Sequence, residues 1–202
     1  MMAFRWGAVL SLLAAQSVSY PPPFPRAGAT RMIDNERVQV WNVSWPKGTP
    51  TPLHRHPYDM TGTYYAPGDR LITAVDGTKR PVTTAAGGIV WQLRGVTHIE
   101  EGTSDVPLRA VMIELKEGGP RGQNETASFP SSAKQLLDNA RVTVWELMRM
   151  PAPSGFPHKH SRDAVVVSIE GQTPHAVYVP RGTVQDKEPV PAASRIVVFE
   201  LK

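Results

Sequence analysis

The chain has 202 residues, of which 41% are hydrophobic and 20% charged, the proportions of an ordinary globular protein with one large or two small domains. It has no cysteine, which excludes disulfides, cysteine nucleophiles and thiolate ligands, so any metal must be held by histidine and carboxylate. The formal net charge is +4, but Lys and Arg are scattered singly, and we therefore expect no nucleic-acid partner.

Residues 1–19 have the pattern of a secretory signal peptide. Arg5 supplies a short positive region, an apolar run follows over 6–15, and the small residues Ser17 and Ser19 suit the cleavage positions. The apolar run is too short to span a membrane securely. We therefore predict an exported protein, periplasmic or secreted, with no membrane association after cleavage. The alternative is that this segment is an apolar strand or helix of the fold.

Two segments of the chain recur at one offset of 104 residues. D-N-E-R-V-Q-V-W at 34–41 recurs as D-N-A-R-V-T-V-W at 138–145, and H-R-H-P-Y-D at 54–59 recurs as H-K-H-S-R-D at 158–163. Each copy closes on a strand that ends E-L-K. Two copies of one unit are the economical interpretation.

The repeat divides the chain into a first unit, 30–116, and a second unit, 134–202, joined by a linker over 117–133. Short runs rich in β-branched residues, punctuated by Gly, Pro, Asp and Thr, predict an all-β fold. A short helical turn is expected over 131–137, before the second unit. The predicted strands include 38–43, 89–93, 109–115, 142–147, 164–169, 176–179 and 195–201.

Two histidine-containing stretches carry the chemistry of the first unit. In G-T-P-T-P-L-H-R-H, which begins at Gly48, His54 and His56 are one residue apart. On a β-strand both imidazoles therefore project to the same face. In G-G-I-V-W-Q-L-R-G-V-T-H, which begins at Gly87, a strand-like run and a Gly turn lead to His98. If the two strands pair, the three histidines can hold one metal ion.

These stretches resemble the two motifs of the cupin family, in the same order. The matching positions are Gly48, His54, His56, Gly87, Gly95 and His98. The glutamate of the first motif is missing, because Met60 or Thr61 stands at its position, and Leu93 replaces the usual proline of the second motif. The resemblance implies two tandem cupin barrels, each a double-stranded β-helix or jelly roll, which makes the chain a bicupin.

The resemblance also implies a metal centre in the first barrel. His54, His56 and His98 would be ligands of one divalent transition metal, and imidazole suits Fe, Mn, Ni, Zn or Cu. Asp59 is the nearest carboxylate, and it would either be a fourth ligand or orient His56. The alternative is that the histidines only line a polar pocket.

Three residues near this centre are candidates for a substrate pocket: Tyr64, Trp91 and Arg94. Their alternative roles are barrel filling for the aromatic residues and a surface turn for the arginine. Glu100 and Glu101 closely follow the third histidine and would serve as acid or base if either side chain turned inward.

The second unit keeps only part of the pattern. His158, His160 and Asp163 repeat the first histidine pair and its carboxylate, but Gln185 stands at the position equivalent to His98. Glutamine is a weak neutral ligand compared with imidazole. We therefore expect the second site to be vestigial or structural.

The leading functional hypothesis is a metal-dependent enzyme that acts on a small organic ligand, with dioxygenase-like or isomerase-like chemistry. The competing hypothesis is a non-catalytic bicupin without metal that binds a small ligand or has a structural role. A homodimer is compatible with both, because cupins often pair through edge strands. The sequence motifs do not choose among these reactions, because one barrel fold hosts many chemistries.

Overall fold

A computed structural model describes residues 19–119, 133–147, 158–185 and 195–202. Sixteen strands and no helix occur in these ranges, which confirms the all-β prediction. The described residues therefore include no helix long and apolar enough to cross a membrane. All but the last residue of the predicted signal peptide, and residues 120–132 of the predicted linker, lie outside the described ranges.

The strands follow one another as β1 (Ala29–Asp34), β2 (Val38–Trp45), β3 (His54–Arg55), β4 (Asp59–Ala66), β5 (Gly68–Ala74), β6 (Lys79–Thr84), β7 (Ile89–Gln92), β8 (Thr97–Gly102), β9 (Leu108–Leu115), β10 (Lys134–Asp138), β11 (Val142–Leu147), β12 (His158–Lys159), β13 (Ala164–Glu170), β14 (Thr173–Val179), β15 (Val184–Gln185) and β16 (Arg195–Leu201).

The first unit is built from two antiparallel sheets. One has five strands in the order β1-β2-β9-β4-β7, and the other has four in the order β3-β8-β5-β6. Alternation along β2 sends Trp41, Val43 and Trp45 into one buried cluster, with Met112 of β9. This cluster fills the interior of the first unit and forms one wall of the candidate site.

The second unit repeats the five-stranded sheet. Its order, β10-β11-β16-β13-β14, matches the order of the first sheet strand for strand. The register shift between Arg31 and Ile33 of β1 also recurs between Gln135 and Leu137 of β10, at the offset of the sequence repeat. The expected helical turn over 131–137 is wrong for residues 134–137, because this segment pairs with β11 as an edge strand.

The two five-stranded sheets pack against each other through the opposite faces of their strands. Val38 and Val40 of β2 share one buried cluster with Val142 and Val144 of β11, the equivalent residues of the repeat. Valine side chains on alternate positions of both sheets thus form an apolar layer between the units. The burial of this apolar layer is the main source of the free energy that holds the two units together.

Two reciprocal ion pairs lie beside this apolar layer. Arg37 of the first unit approaches Asp163 of the second, with 3.3 Å between Nε and Oδ2. Arg141 of the second unit approaches Asp59 of the first, with 3.4 Å between Nη1 and Oδ2. The two arginines are repeat equivalents, and so are the two aspartates. These contacts therefore follow an approximate twofold symmetry that exchanges the two units.

Candidate metal centre

The three candidate histidines are brought together by the pairing of β3 with β8. His54 on β3 is directly opposite His98 on β8. His56 follows β3, and its backbone N–H donates to the carbonyl of Val96 over 3.0 Å while its own carbonyl accepts from Gly95 N–H over 2.8 Å. Gly95 has a φ of 87°, in the left-handed region that favours glycine. The Gly turn of the second motif therefore fixes both strands in register.

The imidazoles form a compact buried triangle. The ring centroids are 5.2 Å apart for His54 and His56, 4.8 Å for His54 and His98, and 5.1 Å for His56 and His98. The exposed fractions of the three residues are 2%, 3% and 6%. One ring nitrogen from each residue lies within 4.8 Å of the others, and these residues form a group able to hold a metal ion.

Hydrogen bonds set which nitrogens face the centre of the triangle. His54 Nδ1 lies 2.9 Å from the carbonyl oxygen of Pro52, which can only accept, so Nδ1 carries the proton and Nε2 keeps a lone pair. That Nε2 is buried without a hydrogen-bond partner. The Nε2 atoms of His56 and His98 are 3.3 Å apart. A cation that accepts several nitrogen lone pairs satisfies this donor set, and the residues therefore fit a transition metal.

The protonation of the triad agrees with this fit. Burial lowers the pKa of His54 and of His98 below the usual histidine value. Burial, with the neighbouring imidazoles of His98 and His54, lowers the pKa of His56 to about 3. The three rings are therefore neutral near pH 7 and offer lone pairs rather than positive charges.

The carboxylate predicted beside the triad points elsewhere. Asp59 Oδ1 accepts the backbone N–H of Arg94 over 2.9 Å, and its Oδ2 faces Arg141 of the second unit. The prediction of Asp59 as a fourth ligand therefore does not fit this geometry. The reason is strand parity: Met60 and Tyr64 of β4 face the interior of the first unit, whereas Asp59 is on the opposite face.

Two of the three predicted pocket residues line a cavity. Tyr64 borders a small interior cavity of about 50 Å³, and Arg94 borders an open cleft of about 760 Å³. His56 borders both cavities, so the triad lies where they approach each other. Trp91 instead packs against the apolar layer between the units, on the outer face of the sheet, and its assignment to the pocket is wrong.

The interior cavity contains a charged pair beside the triad. Glu100, two residues after His98 on β8, turns inward and is 9% exposed. Its carboxylate accepts from Arg70 Nη1 over 2.6 Å and from Trp45 Nε1 over 3.0 Å. Although burial opposes ionisation, the charge of Arg70 lowers the pKa of Glu100 below its usual value. Glu100 is therefore an anion that favours a cation at the triad.

Some residues of this interior were missed by sequence reasoning. Glu100 is not one of them, because the sequence already marks it as a candidate to turn inward, and alternation from His98 places it on the same face of β8. Arg70 and Arg26 come from distant parts of the chain, and no local pattern marks them. The segment that carries Arg26 also covers the interior, because Phe24 stacks on Trp41 with 5.0 Å between ring centroids.

The second unit repeats the backbone of the site. His158 pairs with Gln185 across β12 and β15, as His54 pairs with His98 in the first unit. His160 is 1% exposed, and Asp163 accepts the backbone N–H of Arg181 over 3.0 Å. Among the residues that the structure describes, the only group of metal-ligating side chains is the triad of the first unit.

No protein-family model matches the sequence, and neither does any curated protein sequence. Among solved structures, a cupin 2 conserved barrel domain protein from Leptotrichia buccalis is 13% identical, with a TM-score of 0.51 over 86% of this chain and 88% of that chain. A cupin domain from Bordetella pertussis Tohama I is 29% identical, with a TM-score of 0.41 over 50% of this chain and 99% of that chain. The similarity to the Leptotrichia protein confirms the cupin fold.

Proposed function

We propose that the protein is an exported cupin-fold enzyme that binds one divalent transition metal through His54, His56 and His98 and acts on a small organic ligand. The observation that carries the proposal is the buried triangle of neutral imidazoles with an unpartnered Nε2 on His54. Without a metal, these three histidines leave buried ring nitrogens without hydrogen-bond partners, which costs free energy. A bound cation removes that cost.

The protein's own residues prepare this centre. The Pro52 carbonyl holds His54 in the tautomer that presents Nε2, and the strand pairing holds His98 opposite it. Glu100 supplies a negative charge two residues from His98, and Trp45 holds that carboxylate in place. These contacts fix the ligands before a metal arrives, so little ordering is needed on binding.

Ligand access is provided by the open cleft that borders His56. His54, His56 and His98 would hold the metal through three neutral imidazoles, and the bound metal would supply Lewis-acid polarisation of a ligand or oxygen chemistry. Iron, manganese, nickel, zinc and copper all suit the donor set, and dioxygenase-like and isomerase-like reactions are the corresponding proposals.

The test is elemental analysis of the purified protein beside two histidine variants. We expect about one equivalent of a transition metal, lost in His98→Ala. His175→Ala is the matched control, because His175 is the one histidine outside both His pairs and the triad, on β14 of the second unit. Equal metal content in the wild type and His98→Ala would refute the site. An absence of metal after reconstitution would favour a metal-free ligand-binding or structural role.

A further inference from the structure

Two arginines that line the interior cavity lie close to the same aromatic ring. The guanidinium carbon of Arg70 is 4.8 Å from the ring centroid of Trp45, and that of Arg26 is 5.3 Å from it. Arg26 also lies 5.8 Å from the ring of Phe24. Stacking on aromatic faces holds a guanidinium plane in place and leaves its N–H edges available.

Each of these arginines uses only some of its N–H donors in hydrogen bonds within the protein. Arg26 Nη1 donates to the carbonyls of Ala27 and Ser44, and Arg70 donates through Nη1 to Glu100 and through Nη2 to Tyr64. Arg26 Nη2 and Arg70 Nε are buried and donate to no group. Arg70 is only 7% exposed. Leaving a buried guanidinium donor without an acceptor costs free energy. A ligand that brings an acceptor into this cavity would remove that cost.

The net positive charge of the cavity lining also favours an anionic ligand. Arg26 and Arg70 contribute two positive charges, and among the residues that the structure describes Glu100 is the one carboxylate in the cavity lining. One positive charge is therefore in excess among these three side chains. The cavity volume of about 50 Å³ holds a group of roughly two water molecules in size. A carboxylate is an anion of that size that matches the planar N–H edges of guanidinium groups.

We propose that the ligand of this protein is a small carboxylic acid whose carboxylate enters the interior cavity and accepts hydrogen bonds from Arg26 Nη2 and Arg70 Nε. The inference rests on the proposed function and names its substrate class. The rest of the ligand extends past His56 toward the open cleft, because His56 and Phe24 border both cavities. Arg26 and Arg70 are thus positioned to place the ligand beside the triad.

The probe for this proposal is acetate, with acetamide as its neutral counterpart. Dissociation constants are measured by saturation-transfer difference NMR on the full chain, both metal-free and loaded with Zn²⁺. Arg26→Gln removes the positive charge of Arg26 and one of the two proposed guanidinium donors to the carboxylate. Arg181→Gln is the matched control, because Arg181 is an exposed residue in a turn of the second unit. We expect Arg26→Gln to weaken acetate binding about tenfold or more in both forms. Arg181→Gln should leave it unchanged.

The outcomes separate this inference from the metal proposal. Acetate that binds only to the zinc form, with equal affinity in Arg26→Gln, would be bound by the metal alone and would overturn the inference. Arginine-dependent binding to a protein that takes up no zinc would support the carboxylate site and refute the metal centre. If Arg26→Gln does not fold, the wild-type comparison decides: saturable binding of acetate but not acetamide supports the site, and equal binding of both overturns it.

Discussion

The carboxyl group of Glu114 makes the stability of the first unit depend on pH. Glu114 is on β9, is 2% exposed, and accepts a hydrogen bond from Trp41 Nε1 over 3.0 Å. Burial raises its pKa from 4.5 to about 7. The folded state therefore holds the proton more tightly than the unfolded state. This stabilising contribution is complete below pH 4.5 and is lost as the pH rises to 7.

The size of the effect follows from this shift. A difference of about 2.5 pKa units corresponds to roughly 3 kcal/mol of unfolding free energy between the two ends of that range. Glu114→Gln keeps an oxygen for the Trp41 N–H but cannot ionise. Between pH 4.5 and pH 8 the unfolding free energy of the wild type should therefore fall by about 3 kcal/mol relative to that of Glu114→Gln.

The assay is urea unfolding of both proteins across that range, with Glu101→Gln as a partly exposed control from β8. A free-energy difference between Glu114→Gln and the wild type that is the same at every pH would refute the reasoning. The second unit offers a parallel case. Glu200 accepts from Trp145 Nε1 over 2.9 Å, and burial raises its pKa as well. Glu200→Gln should therefore change the pH dependence in the same direction.

Two further predictions concern packing. Arg37→Met leaves the 9%-exposed Asp163 without its cation, and we expect a loss on the order of 3 kcal/mol in urea unfolding; a loss under about 0.5 kcal/mol would show that the pair is only a surface contact. Gly62→Ala places a methyl group against the Val111 carbonyl of the neighbouring strand, and we expect about 1–3 kcal/mol of destabilisation by thermal unfolding. At Gly88 an added methyl group meets only ordinary contacts, so Gly88→Ala should cost clearly less, and equal losses would contradict the packing argument.

The part of the site that the sequence predicted is the part that strand periodicity governs. His54 and His56 share a face because they are two residues apart, and the Gly turn before His98 positions the partner strand opposite them. The same period places Glu100 inside. These relations are local, and a sequence expresses them directly.

The structure differs from the sequence predictions where a residue's role depends on which face of a strand it occupies or on contacts between distant parts of the chain. Asp59 is the nearest carboxylate to the motif position, but its side chain lies on the outer face of β4 and contacts Arg141 of the second unit. Trp91 faces outward for the same reason and joins the apolar layer between the units. Arg26 reaches the interior through the packing of Phe24 on Trp41, a contact that no local pattern encodes.

The most direct test of the central claim is X-ray absorption spectroscopy at the zinc edge of the Zn²⁺-loaded protein. We expect multiple scattering from three imidazoles with Zn–N distances of about 2.0–2.1 Å, from His54, His56 and His98. One of the three imidazoles should be missing in His98→Ala. A spectrum that shows only oxygen ligands, or one that His98→Ala leaves unchanged, would contradict a metal centre built on this triad.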